Sequence, residues 1–521
     1  MARSTLVSSF RAYPPRWVAL GLFAGLALLF YGPYLSHLPE GLHAWAQADR
    51  LALALNFYDF GLDFWHPRTS TLLSIGGITG VEFPLQPYLA AVGGVLFGRG
   101  AIPTLFRLLD VAVAVLGFWY LFRLVHERTG NFVAGLVPGA FLLSAPTYAF
   151  YAGTFLPDPV SLSLSFVGYY YWLRFFDTRN FRSLLLALLV LTLASLLKTT
   201  TALHLAAVVG ITVLWACHEP ALFTERQRRW LLAAIVASFG TLGLFMHHNQ
   251  TLNTAYASEQ FLTTIRPIST PGVYHQVWLN LRRLWLAEYA TKTMYVLLAG
   301  CAGLVLGRLR QQLRRPRLPL LLLLAASLPL AYVFYQLLGA QLDVHDYYMI
   351  CSFLPPAVLL LLLALLDLGQ VPGRAGTAVT AGLGLLAIWL VGSGYQRLQR
   401  RFSDDYPPFS QYYTHAWMRG GAAQLQQLGV PATARVLVLD DPAPNLALVY
   451  FDRRGLTWQP ALNTLHSADI VRKMVGDSLS YVIMPAAAYQ QMPERAALQA
   501  DFELLAERPA TVLHRKANPA W

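Results

Sequence analysis

The sequence predicts an all-α polytopic membrane domain, residues 1–398, followed by a small soluble α/β domain, residues 399–521. Three observations carry this. The 521-residue chain is 56% hydrophobic and only 13% charged, roughly half the charge fraction of an ordinary soluble domain. Its apolar runs repeatedly approach the roughly 20 residues that a helix needs to cross a bilayer. Beyond about residue 398 the pattern changes to short strands alternating with short helices.

About eleven spanning helices are expected, at 17–37, 104–125, 132–151, 159–176, 183–197, 200–217, 230–247, 289–307, 318–339, 347–367 and 376–395. The first has basic residues before it and no small-residue cleavage site after it, which reads as a retained anchor. Tyr88 to Phe97 is too short to span and follows Pro84 and Pro87. It reads as an interfacial helix in the first outer loop. A second helix in that loop is expected over Ala46 to Phe60, with Leu51, Leu55 and Tyr58 along one stripe.

Charge supports this count. With the N-terminus cytoplasmic, the inner loops carry Arg123 and Arg128, then Arg174, Arg179 and Arg182, then Arg226, Arg228 and Arg229, then Arg308, Arg310, Arg314, Arg315 and Arg317. Counting 88–98 as a span would turn these clusters outward, against the positive-inside bias. The same bias accounts for the net charge of +12 without a nucleic-acid partner. The C-terminal domain then lies outside the membrane. There ARVLVLDD (434–441) and SYVIMP (480–485) read as strands, NLALVYFD (445–452) and a stretch near 467–476 as helices. RGLTWQ (454–459) lies between them. No Gly-rich phosphate loop is present, so no nucleotide cofactor is expected. Cys217, Cys301 and Cys351 have no CxxC spacing and indicate neither a metal site nor a disulfide framework.

Polar groups gather in the outer segments. Asp49, in HAWAQADR, falls in the first turn of its expected helix, where an acid suits the helix dipole. It equally suits a proton acceptor or a metal ligand at a low-dielectric boundary. Glu82, in GVEFPLQPY, reads as a helix-start acid or a ligand. Asp158 lies between two prolines, and an N-cap is its plainest reading. Lys198, in LLKTTT, reads as a snorkelling lysine or a cation for a phosphate. His345, Asp346 and Tyr347, in HDYY, suit either an interfacial aromatic belt or a metal or phosphate site. Arg282 and Arg283 close the second outer loop and suit an anion clamp. The topology puts Asp49, Glu82, Asp158, Lys198 and His345 on one face of the membrane.

WAQADRLALALNFYDFG, VEFPLQPYLAAVGGVLFG, FLPDPVSLSLSF, LLKTTTAL and VHDYYMICSFLPP occur in the order found in bacterial membrane glycosyltransferases of the GT-C fold. The chain resembles the protein O-mannosyltransferase-like and aminoarabinose-transferase-like group, glycosyltransferase families 39 and 83. LVLDDPAPN and YFDRRGLTW extend the likeness into the C-terminal domain. The pattern departs at Ala46, where relatives carry Arg, at Arg50, where they carry Thr, and at Thr199, where they carry Pro. The resemblance implies a multi-pass protein of the bacterial inner membrane. It would move a sugar from a polyprenyl-phosphate donor to a hydroxyl of a lipid, glycan or protein acceptor on the outer side, with inversion. Asp49 would take the acceptor proton. Glu82 and His345 would hold a divalent metal, Lys198 and Arg50 would offset phosphate charge, and Asp158 would shape the pocket. The other class considered is a transporter or flippase for a lipid-linked or sugar substrate, with Asp110 and His204 as its polar groups. The absence of internal repeats weighs against it.

Overall fold

The computed structural model describes residues 15–261, 265–314, 316–342, 345–403, 414–458, 471, 475, 478–492 and 495–517. The chain divides into two compact units. The first comprises Met1–Leu35, Arg107–His247 and Thr263–Arg401; the second comprises Ser36–Phe106, His248–Leu262 and Phe402–Trp521. The second unit thus joins the C-terminal segment, which the sequence sets apart at 398/399, with 36–106 and 248–262.

The first unit is helical. Among the described residues seven helices are long and apolar enough to cross a membrane, and a bent pair supplies an eighth. Every expected span has a helical counterpart. Three of them, around 132–151, 159–176 and 183–197, are broken, too polar or too short to meet the same criterion. The span expected over 132–151 is two helices, Phe132–Ser144 and Pro146–Tyr151, with extended Ala145 between them. Pro146 causes this, because the residue before a proline is pushed out of the helical region. The span expected over 289–307 begins only at Lys292 and follows the helical stretch Pro271–Tyr289 at 88°. The second outer loop, expected to run over 248–288, is accordingly helical at both ends, since Glu225–Ala255 also runs into it.

Glycines set the closest helix packing. Gly168 faces Leu191, and Gly394 faces the backbone at Leu143 so closely that a Cβ would not fit. Small residues at such crossings let backbones approach, which matters where lipid removes the hydrophobic drive. Asn131, Asn180 and Thr291 cap their helices by accepting from the backbone N–H of Ala134, Arg182 and Met294.

The second unit is built on a five-stranded sheet in the order β2-β1-β3-β5-β4. The strands are β1 (Arg435–Leu439), β2 (Arg454–Trp458), β3 (Tyr481–Pro485), β4 (Phe502–Ala506) and β5 (Ala510–Arg515). β1 pairs in parallel with β2 and β3, while β5 runs antiparallel to β3 and β4. Leu437, Leu439, Val482, Met484, Phe502 and Leu513 form its core with Tyr489 and Leu498. The helix expected near 467–476 lies largely outside the described residues; Val471 and Val475, which are described, are helical. The segment Ser70–Leu72 adds to the β2 edge: Leu72 N–H donates to Gly455 O (2.8 Å) and Gly455 N–H to Ser70 O (3.2 Å). Position 455 must be glycine, because a Cβ there would strike the Val436 carbonyl. The helix Ala44–Asp59 and the short apolar helix Leu85–Phe97 pack through Leu53, Phe57, Val81 and Ala91. The 13-residue length of the latter agrees with an interfacial rather than a spanning element.

Candidate functional site

Asp49 lies in the second unit. Its helix begins at Ala44, two residues before the expected start, so Asp49 falls in the second turn and is no helix-start acid. His43, with a left-handed φ of 55°, turns the chain sharply into the helix. Trp45 Nε1 donates to His43 Nδ1 (3.2 Å), and Gln47 Nε2 donates to the carbonyls of Glu40 (2.9 Å) and Leu42 (3.2 Å). These contacts anchor the first turn. Asp49 is 5% exposed. Asn445 Nδ2 donates to its Oδ1 (2.8 Å). Burial pushes the Asp49 carboxyl up to about 6, against the opposing pull of the Asn445 hydrogen bond and the Arg50 charge. Nearby Asp441 adds a smaller push in the same direction as burial. Asn56, two turns further along the same helix, donates to Ala52 O (2.8 Å) and Ser70 Oγ (3.2 Å).

Glu82 is also no helix-start acid. Pro84 precedes the helix at Leu85, and Glu82 accepts from Arg50 Nη2 (2.6 Å). Arg50 in addition lies over the Phe261 ring at 5.0 Å.

Lys198 lies in the first unit, where it ends the helix Phe181–Leu197 in an extended conformation. It does not snorkel. Its side chain is 9% exposed and its Nζ is 3.4 Å from Asp158 Oδ2. The rings of Tyr347 and Tyr348 sit 5.7 and 5.5 Å from the same Nζ, within cation–π range. Asp158 is not an N-cap: Leu156 holds that position, Pro157 follows it, and the Asp158 carboxylate is the partner of Lys198. Ser161 Oγ and Thr201 Oγ1, 2.8 Å apart, both bond Ala194 O and fix the lysine hairpin.

His345 stacks on Tyr348 at 5.0 Å, and its Nδ1 lies 2.9 Å from Gln341 O. Asp346 has 0% exposure and is paired with Arg401, the last residue of the helix Gly373–Arg401. Tyr151 OH donates to Asp346 Oδ1 (2.8 Å), and Arg401 Nε is 3.3 Å from Glu288 Oε2. Tyr151, Arg401 and Glu288 thus form a buried polar cluster with Asp346 at the start of the HDYY segment. Arg282 and Arg283 are exposed on a π-helical turn, Leu281–Trp285.

The structure thus joins Arg50 with Glu82 and Lys198 with Asp158 and Tyr347. Glu82 and His345, expected to share a metal, fall in different units. Among the described residues no group of three or more His, Cys, Asp or Glu side chains is arranged to hold one.

Asn445, Asp441, Arg401 and Glu288 were not found from sequence. Their partners lie 55 to 396 residues away for Arg401–Asp346 and Asn445–Asp49, and no local spacing marks such pairs.

The first unit also holds an apolar cavity of about 900 Å³ between the helices of Pro271–Gly307, Leu318–Leu342 and Leu354–Leu368. Trp278, Met294, Leu298, Leu328, Met349 and Phe353 are among its lining residues.

Residues 82–247 match the family described as dolichyl-phosphate-mannose-protein mannosyltransferase. No curated protein matches the chain in sequence. Among solved structures, ArnT from Cupriavidus metallidurans bound to undecaprenyl phosphate aligns with a TM-score of 0.60 at 16% identity, covering 96% of this chain and 98% of its own. The Archaeoglobus fulgidus oligosaccharyltransferase, in complex with Zn and sulfate, aligns at 0.51 and 12% identity, covering 93% and 71%. The mycobacterial arabinofuranosyltransferase AftD aligns at 0.51 and 15% identity, covering 98% of this chain and 42% of AftD. All three are GT-C glycosyltransferases, and the chain has their fold: a multi-helix membrane domain with a small C-terminal α/β domain. The likeness read from the sequence is thereby borne out.

Proposed function

We propose that the protein transfers a sugar from a polyprenyl-phosphate donor to an acceptor hydroxyl, with inversion, on the extracytoplasmic side of a bacterial inner membrane. The observation that carries this reading is Asp49, a nearly buried carboxylate held at about 6, bonded on one oxygen by an amide. A base is most effective when its pKa lies near the operating pH. Asp49 takes the proton of the acceptor hydroxyl as that oxygen attacks the anomeric carbon. The bond to the polyprenyl phosphate breaks in the same displacement. The leaving group departs as an anion, so one carboxylate suffices where a glycoside hydrolase needs two.

Lys198 offsets the charge of that phosphate, and the aromatic rings beside it exclude water. The apolar cavity takes the polyprenyl chain; its lining residues Met349 and Phe353 directly follow the HDYY segment. ArnT, whose fold this chain shares, is bound to undecaprenyl phosphate, which supports the reading. Arg50, paired with Glu82, adds positive charge in the second unit.

The test is sugar transfer by purified protein in detergent, which needs no second compartment and so separates catalysis from transport. Lys198→Gln should raise the donor KM by about 10- to 100-fold, the value of a hydrogen bond to a charged group, with a smaller change in kcat. An unchanged KM would remove Lys198 from donor binding. The rate should also fall about tenfold per pH unit below about 6, since protonated Asp49 accepts nothing. A profile flat down to pH 5 would exclude Asp49 as the base.

A further inference from the structure

The C-terminal segment supplies the side chain that touches Asp49, and its geometry leaves no choice of orientation. The backbone N–H groups of Ser70 and Thr71 both point at Asn445 Oδ1, at 3.1 and 3.0 Å. A backbone N–H can only donate, so the atom facing the two must be the amide oxygen. The amide nitrogen is thereby turned toward Asp49 Oδ1 at 2.8 Å. Asn445 itself has 0% exposure and cannot rotate into solvent.

The loop that presents Asn445 is fixed in turn. Asp441 accepts from Ala443 N–H (2.9 Å) on one oxygen and from Ala447 N–H (2.8 Å) on the other, bracketing position 445. All of these groups belong to the second unit.

We infer that Asn445 is a positioning residue for Asp49: its donated hydrogen bond holds one carboxylate oxygen, presents the other to the acceptor hydroxyl, and favours the ionised form. The C-terminal domain is then a working part of the proton-accepting site. This rests on the assignment of Asp49 as base. A hydrogen bond to the charged form lowers a carboxyl pKa, so its loss moves the acid limb of the rate profile upward.

The informative variant is Asn445→Asp. It keeps an acceptor for Ser70 and Thr71 but replaces the donor aimed at Asp49 with an oxygen. The full-length protein is assayed for kcat/KM from pH 5 to pH 9, beside Asn445→Ala and Asp49→Asn. The acid limb is expected to rise by about one pH unit in Asn445→Ala, about a fivefold loss at pH 6 and close to tenfold at pH 5. Asn445→Asp should move it further, because two carboxylates then face each other. Thermal melts of each purified variant identify any that fail to fold, and Asn445→Ala then decides alone. Folded Asn445 variants with the wild-type pH profile would overturn the inference. If Asp49→Asn keeps near-normal transfer, the base assignment falls; if it is inactive while Asn445 variants titrate normally, only the positioning role falls.

Discussion

Asp49→Asn should reduce sugar transfer by about 10²- to 10⁴-fold, the usual contribution of a positioned general base, while the protein stays folded. The substitution keeps shape and keeps an oxygen that can accept from Asn445, so the local hydrogen bond survives. Only the ability to take a proton is lost. The same change is expected to stabilise the fold at neutral pH. Burial raises the Asp49 pKa from 3.8 to about 6, so the folded state prefers the protonated acid. Below about pH 4 the group is protonated whether folded or not, and nothing is lost. As pH rises through 6 the ionised form is held at a cost of about 3 kcal/mol, which then stays constant. Melting temperatures of wild type and Asp49→Asn should therefore coincide near pH 4 and diverge at pH 8, with the variant higher. Equal melting at pH 8 would mean that the carboxylate is better solvated than its 5% exposure indicates.

Arg401→Met should destabilise the first unit by about 3–5 kcal/mol, because removing one partner of a buried pair strands the other charge. Here two acids lose the same guanidinium. Asp346 is fully buried and paired with Arg401, and Glu288 is 4% exposed and 3.3 Å from its Nε. Tyr151 and Thr147 also bond Asp346, but neither carries a compensating charge. Asp346 begins the segment that places Tyr347 and Tyr348 beside Lys198, so donor affinity should fall with stability. Arg401→Lys retains the charge but not the planar fork and should lie between. Adding Asp346→Asn to Arg401→Met should recover part of the loss, as expected for coupled neighbours. Simple additivity in thermal melts would mean that the pair is not coupled.

The membrane fold was legible in the sequence because apolar length and loop charge are properties of consecutive residues. The breaks were less legible. Pro146 stops a helix inside a run that is otherwise continuous in hydropathy, and the 88° bend before Lys292 has no proline at all. Individual polar residues stood out because charge is rare in such a chain, and Asp49, Glu82, Asp158 and Lys198 were singled out on that ground. Their partners are less legible. Asp49, Glu82 and Asp158 suited helix starts by local rules, yet each has a partner from elsewhere in the chain or lies past the first turn. Asn445 closes LVLDDPAPN, which extends the likeness, but nothing local ties it to Asp49, 396 residues upstream.

The strand-like seam between Ser70–Leu72 and Gly455 bears on how chimeras of this architecture can be made. An exchange of 402–521 alone would leave the donor's sheet facing a foreign loop, with the amide at 445 offered to backbone groups of another shape. The natural cassette is discontinuous: 36–106, 248–262 and 402–521 move together or not at all. Recombination between relatives should therefore tolerate crossovers inside the spanning helices better than a single join at the start of the soluble tail.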